Sequence, residues 1–293
     1  MSAAVGCVES MVEASQKLRR PALRYHGGKW KLAPWIISHF PAHRIYVEPF
    51  GGGASVLLRK PRSYAEVYND LWADVVNVFR VLRDPVSATE LERLLRLTSF
   101  ARDEFEAPWP DETIDVIERA RRTIFRSFAG FGSASTNAKH STGFRANSNR
   151  SGTTPAHDWA NFPQHITTFT ARLAGVVVEN RPAVDVITSH DSAETLHYVD
   201  PPYPHETRNM ARGNAAYACE MATADHEQLA EVLNSCSGMV IVSSYHSAFY
   251  EKLFNGWLRI DCKALADGAR DRTESLYLNA ACATATSQKR LFA

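Results

Sequence analysis

The chain has 293 residues, with 33 Lys and Arg against 32 Asp and Glu, and its net charge of +1 singles out no polyanionic or membrane partner. Its 45% hydrophobic and 22% charged content excludes an intrinsically disordered chain and allows one large core. Five scattered cysteines (Cys7, Cys219, Cys236, Cys262, Cys282) include no C-x-x-C pair, so a reducing cytoplasm is expected rather than a disulfide framework. No apolar run approaches the length of a membrane span.

Residues 1–21 lack the basic-then-apolar layout of a secretory signal and read as a lead-in. Next comes Arg24-Tyr25-His26-Gly27-Gly28-Lys29-Trp30, a glycine pair among aromatics and cations, ahead of a helical pattern at 32–40. Such a loop can hold a carboxylate through Lys29, or simply pack on the sheet. A strand at 45–48 runs into Glu48-Pro49-Phe50-Gly51-Gly52-Gly53 and a helical pattern at 54–59. A second strand, 65–69, ends at Asn69-Asp70, about twenty residues after the first, the spacing at which a doubly wound fold bonds a ribose hydroxyl. The glycines do not follow G-x-G-x-x-G or the P-loop, so a nucleoside-type cofactor is favoured over a dinucleotide.

Helical patterns at 71–82, 88–97 and 113–128 follow, then a stretch rich in Gly, Ser, Asn and Thr at 130–154. A segment this long without strand signals reads as an insertion, here 84–163, interrupting a domain made of 22–83 and 164–293. From Arg119 to His157 the chain carries Arg119, Arg121, Arg122, Arg126, Lys139, Arg145 and Arg150 and no acid. An even spread would place roughly four acids there. A charge run is usually a solvated face, yet Phe144-Arg145-Ala146-Asn147-Ser148-Asn149-Arg150 alternates groups that bind phosphates and read base edges. DNA contact is expected from Arg24, Arg122, Arg126, Lys139, Arg145, Asn147, Asn149 and Arg150.

Strands at 176–179, 196–199, 239–243, 258–262 and 276–278 complete a tally of seven, with helices at 225–234 and 248–254. The last two strands have no helical pattern between them and read as an antiparallel hairpin closing a parallel sheet. The fourth strand stops at Asp200-Pro201-Pro202-Tyr203, where two prolines end the ladder. A carboxylate, carbonyls and an aromatic ring fixed side by side suit methylation of an amino group on a planar base. The oxygens draw its lone pair back onto nitrogen and the ring stacks on the base. Alone, the tetrapeptide is also ordinary turn chemistry.

Together R-Y-H-G-G-K, V-E-P-F-G-G-G, N-D, the basic insertion and D-P-P-Y resemble the Dam-type (D12 class) DNA adenine-N6 methyltransferases, in which the cofactor motif precedes and the catalytic motif follows the target-recognition insertion. The likeness spans about residues 23–279, and the insertion looks closest to phage-like or orphan members. It implies an α/β, Rossmann-like, seven-stranded S-adenosylmethionine-dependent methyltransferase fold with its last strand reversed and a mainly helical target-recognition subdomain inserted. It also implies S-adenosylmethionine as cofactor, no metal, and an adenine flipped out of double-stranded DNA in a bacterial or phage-host cytoplasm. By motif, Lys29 contacts the cofactor carboxylate with Tyr25 near it. Glu48, Phe50, Gly51 and Gly53 line the methionine, Asp70 holds the ribose, and Glu179 and Asn180 border the cofactor adenine. Asp200 and the Pro201 carbonyl accept the N6–H bonds, Pro202 shapes the turn, and Tyr203 stacks on the base. Two departures stand out: Pro182 where relatives carry Asp, and Cys219 where His precedes Glu-Met.

Competing expectations are methylation of cytosine N4, RNA or a glutamine side chain, and a non-catalytic DNA-binding regulator on the same fold. The zinc signatures of base deaminases and zinc proteases are absent, and His39 and His43 have helical spacing without a third ligand. A paired recognition site would suit a homodimer.

Overall fold

The computed structural model describes residues 18–109, 113–131, 142–146, 153–204, 218–266 and 270–291. Seven strands form its centre: β1 (Ile45–Glu48), β2 (Ala65–Asn69), β3 (Val176–Glu179), β4 (Thr195–Val199), β5 (Met239–Tyr245), β6 (Leu258–Ala266) and β7 (Arg270–Leu278). They build one sheet in the order β3-β2-β1-β4-β5-β7-β6. The first five run parallel, while β7 pairs antiparallel with both β5 and β6. Strand order reverses between β1 and β4, where open α/β sheets leave a crevice beyond their carboxyl ends.

The period of two along each strand explains the layers. Tyr46, Tyr198, Ile241 and Leu276 enter one core, and their neighbours Val47, Val199, Val242 and Tyr277 face the other side. The first side is covered by α1 (Ala33–Ser38), α2 (Ser55–Arg59), α3 (Ala73–Arg83), α4 (Pro85–Leu97), α6 (Val116–Ala129), α8 (Ile166–Leu173) and α12 (Ala280–Leu291), with α5 (Arg102–Glu106) and α7 (Pro155–Ala160) joining them. The second is covered by α9 (Ala183–His190), α10 (Thr223–Ser235) and α11 (Ala248–Leu253) through Ile187, Leu229 and Tyr250. No helix among the described residues is long and apolar enough to cross a membrane.

The helices between β2 and β3 share the core of the sheet. Leu91, Leu95, Phe125, Phe128, Trp159 and Phe169 belong to the same buried cluster as Tyr46 and Tyr68. Phe125 meets Trp159 edge-on at 5.0 Å and Phe128 lies 4.6 Å from Phe162, so truncating either phenylalanine should cost about 3–5 kcal/mol. Local signals start these helices. Asp84 accepts from Ser87 N ahead of Pro85, and Asp115 accepts from Ile117 N and Glu118 N.

Strand positions agree with the periodicity, but β6 and β7 are longer than their apolar runs of 258–262 and 276–278. Their added arms pair polar residues across the hairpin, Cys262 with Glu274 and Lys263 with Thr273, and so lack apolar alternation. Helix α3 starts at Ala73 rather than 71, because the Asp70 carboxylate takes Trp72 N at 2.8 Å and keeps Trp72 extended. Helices α5, α7, α8, α9 and α12 were not expected, being short or mixed in polarity.

Candidate active site

After Glu48 the chain turns through the glycine cluster, and two of its glycines have a clear steric reason. A Cβ on Gly51 would sit 2.2 Å from Tyr68 Cε2, and one on Gly52 (φ +46°) would sit 2.6 Å from the Tyr25 ring. The loop thus threads between two tyrosines. Tyr68 donates its hydroxyl to Gly52 O at 2.8 Å and Gly51 N donates to Asn69 O at 2.7 Å. Asp70 ties the ends of β1 and β2 together, its oxygens accepting from Gly52 N and Trp72 N, each at 2.8 Å. Burial raises the Asp70 carboxyl above its ordinary range, against the pull of these backbone bonds.

These loops open onto a cavity of about 890 Å³, open solvent included. Tyr25, Lys29, Glu48, Phe50, Gly51, Gly53, Asp70 and Asp200 all line it. Glu179 and Asn180 are not among its lining residues. Instead Arg181 and Ala183 reach it, while Asn180 Nδ2 donates to Asp70 O at 2.8 Å and braces the loop. Trp72 and Tyr198, which no motif marks, also line the cavity, as does Met221 of the Glu-Met pair. Cys219 sits on the wall beside Met221. Glu48 is buried, with Tyr46 OH (2.7 Å) and Leu57 N (2.9 Å) donating to its Oε2, and burial pushes its carboxyl up to about 8.

At the end of β4, Asp200 Oδ1 lies 2.9 Å from Lys29 Nζ, which also donates to Gly27 O at 3.0 Å. Burial raises the Asp200 carboxyl to about 6, Lys29 opposing and Glu274 adding to the rise. Pro202 lines the cavity; Pro201 and Tyr203 are buried behind it. The Tyr203 ring carries Lys29 Nζ 4.7 Å from its centroid and meets Tyr245 edge-on at 4.7 Å. Its hydroxyl donates to Glu274 Oε1 and lies 3.2 Å from Ser243 Oγ. Glu274 and Ser243 escaped the sequence reading: Glu274 lies outside the expected strand at 276–278, and a single polar residue such as Ser243 at the end of an expected strand carries no signal of its own.

The basic segment is partly committed to the fold. Arg119 pairs with Asp74, Arg121 with Glu118 and Glu104, and Arg122 with Glu118 at 2.7 Å. Arg126 donates to Ala107 O and lies 4.5 Å from the Trp109 ring centroid. Arg122 and Arg126, expected at DNA, therefore hold the 107–109 segment against α6. Of the acids that pair with this run, Glu118 lies one residue before it and Glu104 and Asp74 lie farther upstream, so an acid-free window overstates the free charge. Arg24 donates its backbone N–H to Ser127 Oγ at 3.4 Å. Arg145 N donates to Ala129 O at 2.7 Å, and its buried Nη1 has no hydrogen-bond partner among the described residues. Lys139, Asn147, Asn149 and Arg150 lie outside the described residues.

Elsewhere, ligand atoms of Asp191, His197 and Cys236 lie within 4.8 Å of one another. Asp191 accepts there from Ser237 N (2.8 Å) and Gly238 N (2.9 Å) and lies 3.3 Å from His197 Nε2, which makes it a clamp on the turn before β5.

A comparison with curated protein sequences finds no match. A family model described as D12 class N6 adenine-specific DNA methyltransferase matches residues 25–266, which run from Tyr25 through the glycine loop, Asp70 and Asp200 into β6. With most of its length and every wall of the cavity inside that match, the chain belongs to the D12 class N6 adenine-specific DNA methyltransferases.

Proposed function

We propose that this enzyme takes its methyl group from S-adenosylmethionine in the cavity between β1, β2 and β4 and delivers it to N6 of an adenine flipped out of double-stranded DNA. The observation that carries the reading is the shared wall: Asp200 and Pro202 border the same cavity as Asp70, Phe50 and the glycine loop. The residues present fit the cofactor. Asp70 offers a carboxylate to a ribose diol, Phe50 and Trp72 offer apolar faces to a base, and the Lys29 ammonium offers a partner to a carboxylate. When bound there, S-adenosylmethionine supplies a methyl group already activated on a sulfonium.

The protein's part is positioning. Asp200 and the Pro201 carbonyl accept the two N6–H bonds and turn the nitrogen lone pair towards the cavity. Asp200 then takes the proton that the nitrogen sheds once it is cationic. Extruding the base costs on the order of a few kcal/mol, and aromatic stacking returns ~1–3 kcal/mol. Stacking on Tyr203 requires Lys29 to leave the ring it now covers. Orientation therefore supplies much of the rate.

The segment 84–163 is proposed as the target-recognition insertion, seated on the sheet's first side. Arg145, with Lys139, Asn147, Asn149 and Arg150 from the sequence argument, is proposed to meet the DNA. Arg24 lies on the same side through its bond to α6.

The test is mass spectrometry of nucleosides from unmethylated DNA incubated with the protein and S-adenosylmethionine, with Asp200→Ala alongside. N6-methyladenine from wild type and none from Asp200→Ala, which should still bind DNA, is the expected result. Equal product from both would remove Asp200 from the chemistry, and methylated cytosine would change the substrate.

A further inference from the structure

Glu274 is a carboxylate in the middle of β7, an internal strand next to the sheet edge. It pairs with Tyr245 on β5 and Cys262 on β6 and is 4% exposed. Burying a charge there is unfavourable unless it is paired and hydrogen-bonded. Among the described residues, three partners converge on one oxygen, Oε1: the Tyr203 hydroxyl, Ser243 Oγ at 3.0 Å, and Lys29 Nζ at 3.6 Å. Two of the three belong to the proposed methyl-transfer corner. Buried ion pairs add little net stability over apolar replacements, so stability alone is a poor reason for this one.

We infer that Glu274 is a positioning residue for methyl transfer: it anchors the Tyr203 ring by its hydroxyl and shares Lys29 with Asp200. A phenol ring has one polar handle, and here that handle is fixed from β7. The hydroxyl also lies 3.2 Å from Ser243 Oγ, while the ring itself meets Tyr245 edge-on and carries Lys29 Nζ over its face. Lys29 lies between two carboxylates, 2.9 Å from Asp200 and 3.6 Å from Glu274. When Lys29 turns towards another anion, Glu274 limits how far it moves. The charged and titratable groups facing Asp200 are Lys29 from the N-terminal loop, Glu274 from β7, Glu48 from β1, Tyr198 from β4 and Tyr203 beside it. Of these, Glu274 is the buried carboxylate whose oxygen also holds Lys29. Removing its charge leaves Lys29 wholly to Asp200, which then ionises more easily.

The inference rests on the proposed roles of Asp200 and Tyr203. Its test is single-turnover formation of N6-methyladenine at saturating DNA and S-adenosylmethionine across the acid side of neutrality. The proteins are wild type, Glu274→Gln, Glu274→Ala, Tyr203→Phe and the Glu274→Ala/Tyr203→Phe double variant. Gln keeps an oxygen for both hydroxyls but loses the charge, so the acid limb should move to lower pH while the plateau rate changes little. Ala loses anchor and charge and should lower the plateau about 10-fold to 100-fold, with KM for DNA nearly unchanged. With Tyr203→Phe already present, Glu274→Ala should cost much less than alone. An acid limb of Glu274→Gln coinciding with that of wild type, or fully multiplicative losses in the double variant, would overturn the inference. Should Glu274→Ala unfold, Glu274→Gln still decides it by its pH profile. A wild type that forms no N6-methyladenine at any pH fails the proposed function itself, whereas failure of this inference leaves wild type active.

Discussion

Replacing Asp70 with alanine separates two jobs that the fold gives to one side chain. The sequence marks Asp70 as the acceptor for a ribose, and the structure shows it bonding Gly52 N and Trp72 N at 2.8 Å each. Backbone N–H bonds to a charged acceptor contribute about 1.5–3 kcal/mol each. Asp70 is half-buried, so water recovers part of that loss, and about 2–4 kcal/mol is the expected cost. At roughly 2 °C per kcal/mol for a chain of this size, Tm should fall by about 4–8 °C without any cofactor present. Asp70→Asn retains one acceptor oxygen and should lose about half as much. Thermal unfolding of the cofactor-free protein measures the clamp. Calorimetric titration with S-adenosylhomocysteine, well below the lowered Tm, measures the ribose contact. An apo Tm within about 1 °C of wild type would refute the clamp argument, because two such bonds cannot be lost so cheaply. A lowered Tm with unchanged cofactor affinity would refute the ribose role instead.

Glu48 gives a pH signature. Its carboxyl stands at about 8 against an ordinary 4.5, so the folded chain keeps a proton that the unfolded chain sheds. The stability this provides is present below the unfolded value and drains away as pH rises through about 8, by up to about 1.4 kcal/mol per pH unit. Urea unfolding from pH 5 to 8 should show that slope in wild type and a flatter one in Glu48→Gln; equal slopes would remove Glu48 as its source. Arg145→Ala should weaken DNA binding, and a reduction of about one in the salt slope with the methylated site unchanged would mark a phosphate contact. Unaltered affinity at low salt would take Arg145 out of the interface.

The sheet was legible because its strands are short apolar runs with glycine, proline or aspartate at their ends, and β1, β2 and β3 fall at their expected residues. The cavity was legible wherever a motif sits directly after a strand, as with the glycine loop, Asp70 and Asp200. What escaped depends on contacts between distant segments. Arg122 and Arg126 read as free cations because Glu118 lies one residue before the acid-free window, and because a backbone carbonyl such as Ala107 O has no sequence signature. Asn180 reads as a cofactor contact by its place after β3, yet its amide is turned to the backbone of Asp70 and Leu71, leaving the cavity to Arg181.

Glu274 shows why topology must be known before such a residue acquires meaning. In a sheet of parallel strands, only residues at carboxyl ends reach the crevice, and the sequence signal for a site sits after an apolar run. An antiparallel strand inverts this. Its amino-terminal half lies at the crevice and its apolar half lies deeper, so Glu274 comes before Leu276–Leu278 and pairs with Tyr245 at the carboxyl end of β5. Read linearly, Glu274 falls in the connection between two strands. Placed between β5 and β6, its carboxylate meets a lysine from the chain's first loop and a tyrosine from the turn after β4. The corner therefore has two independent supports, the β1–β2 clamp at Asp70 and the β7 anchor at Glu274. Losing the first should show in cofactor affinity and unliganded stability, and losing the second in the rate and its dependence on pH.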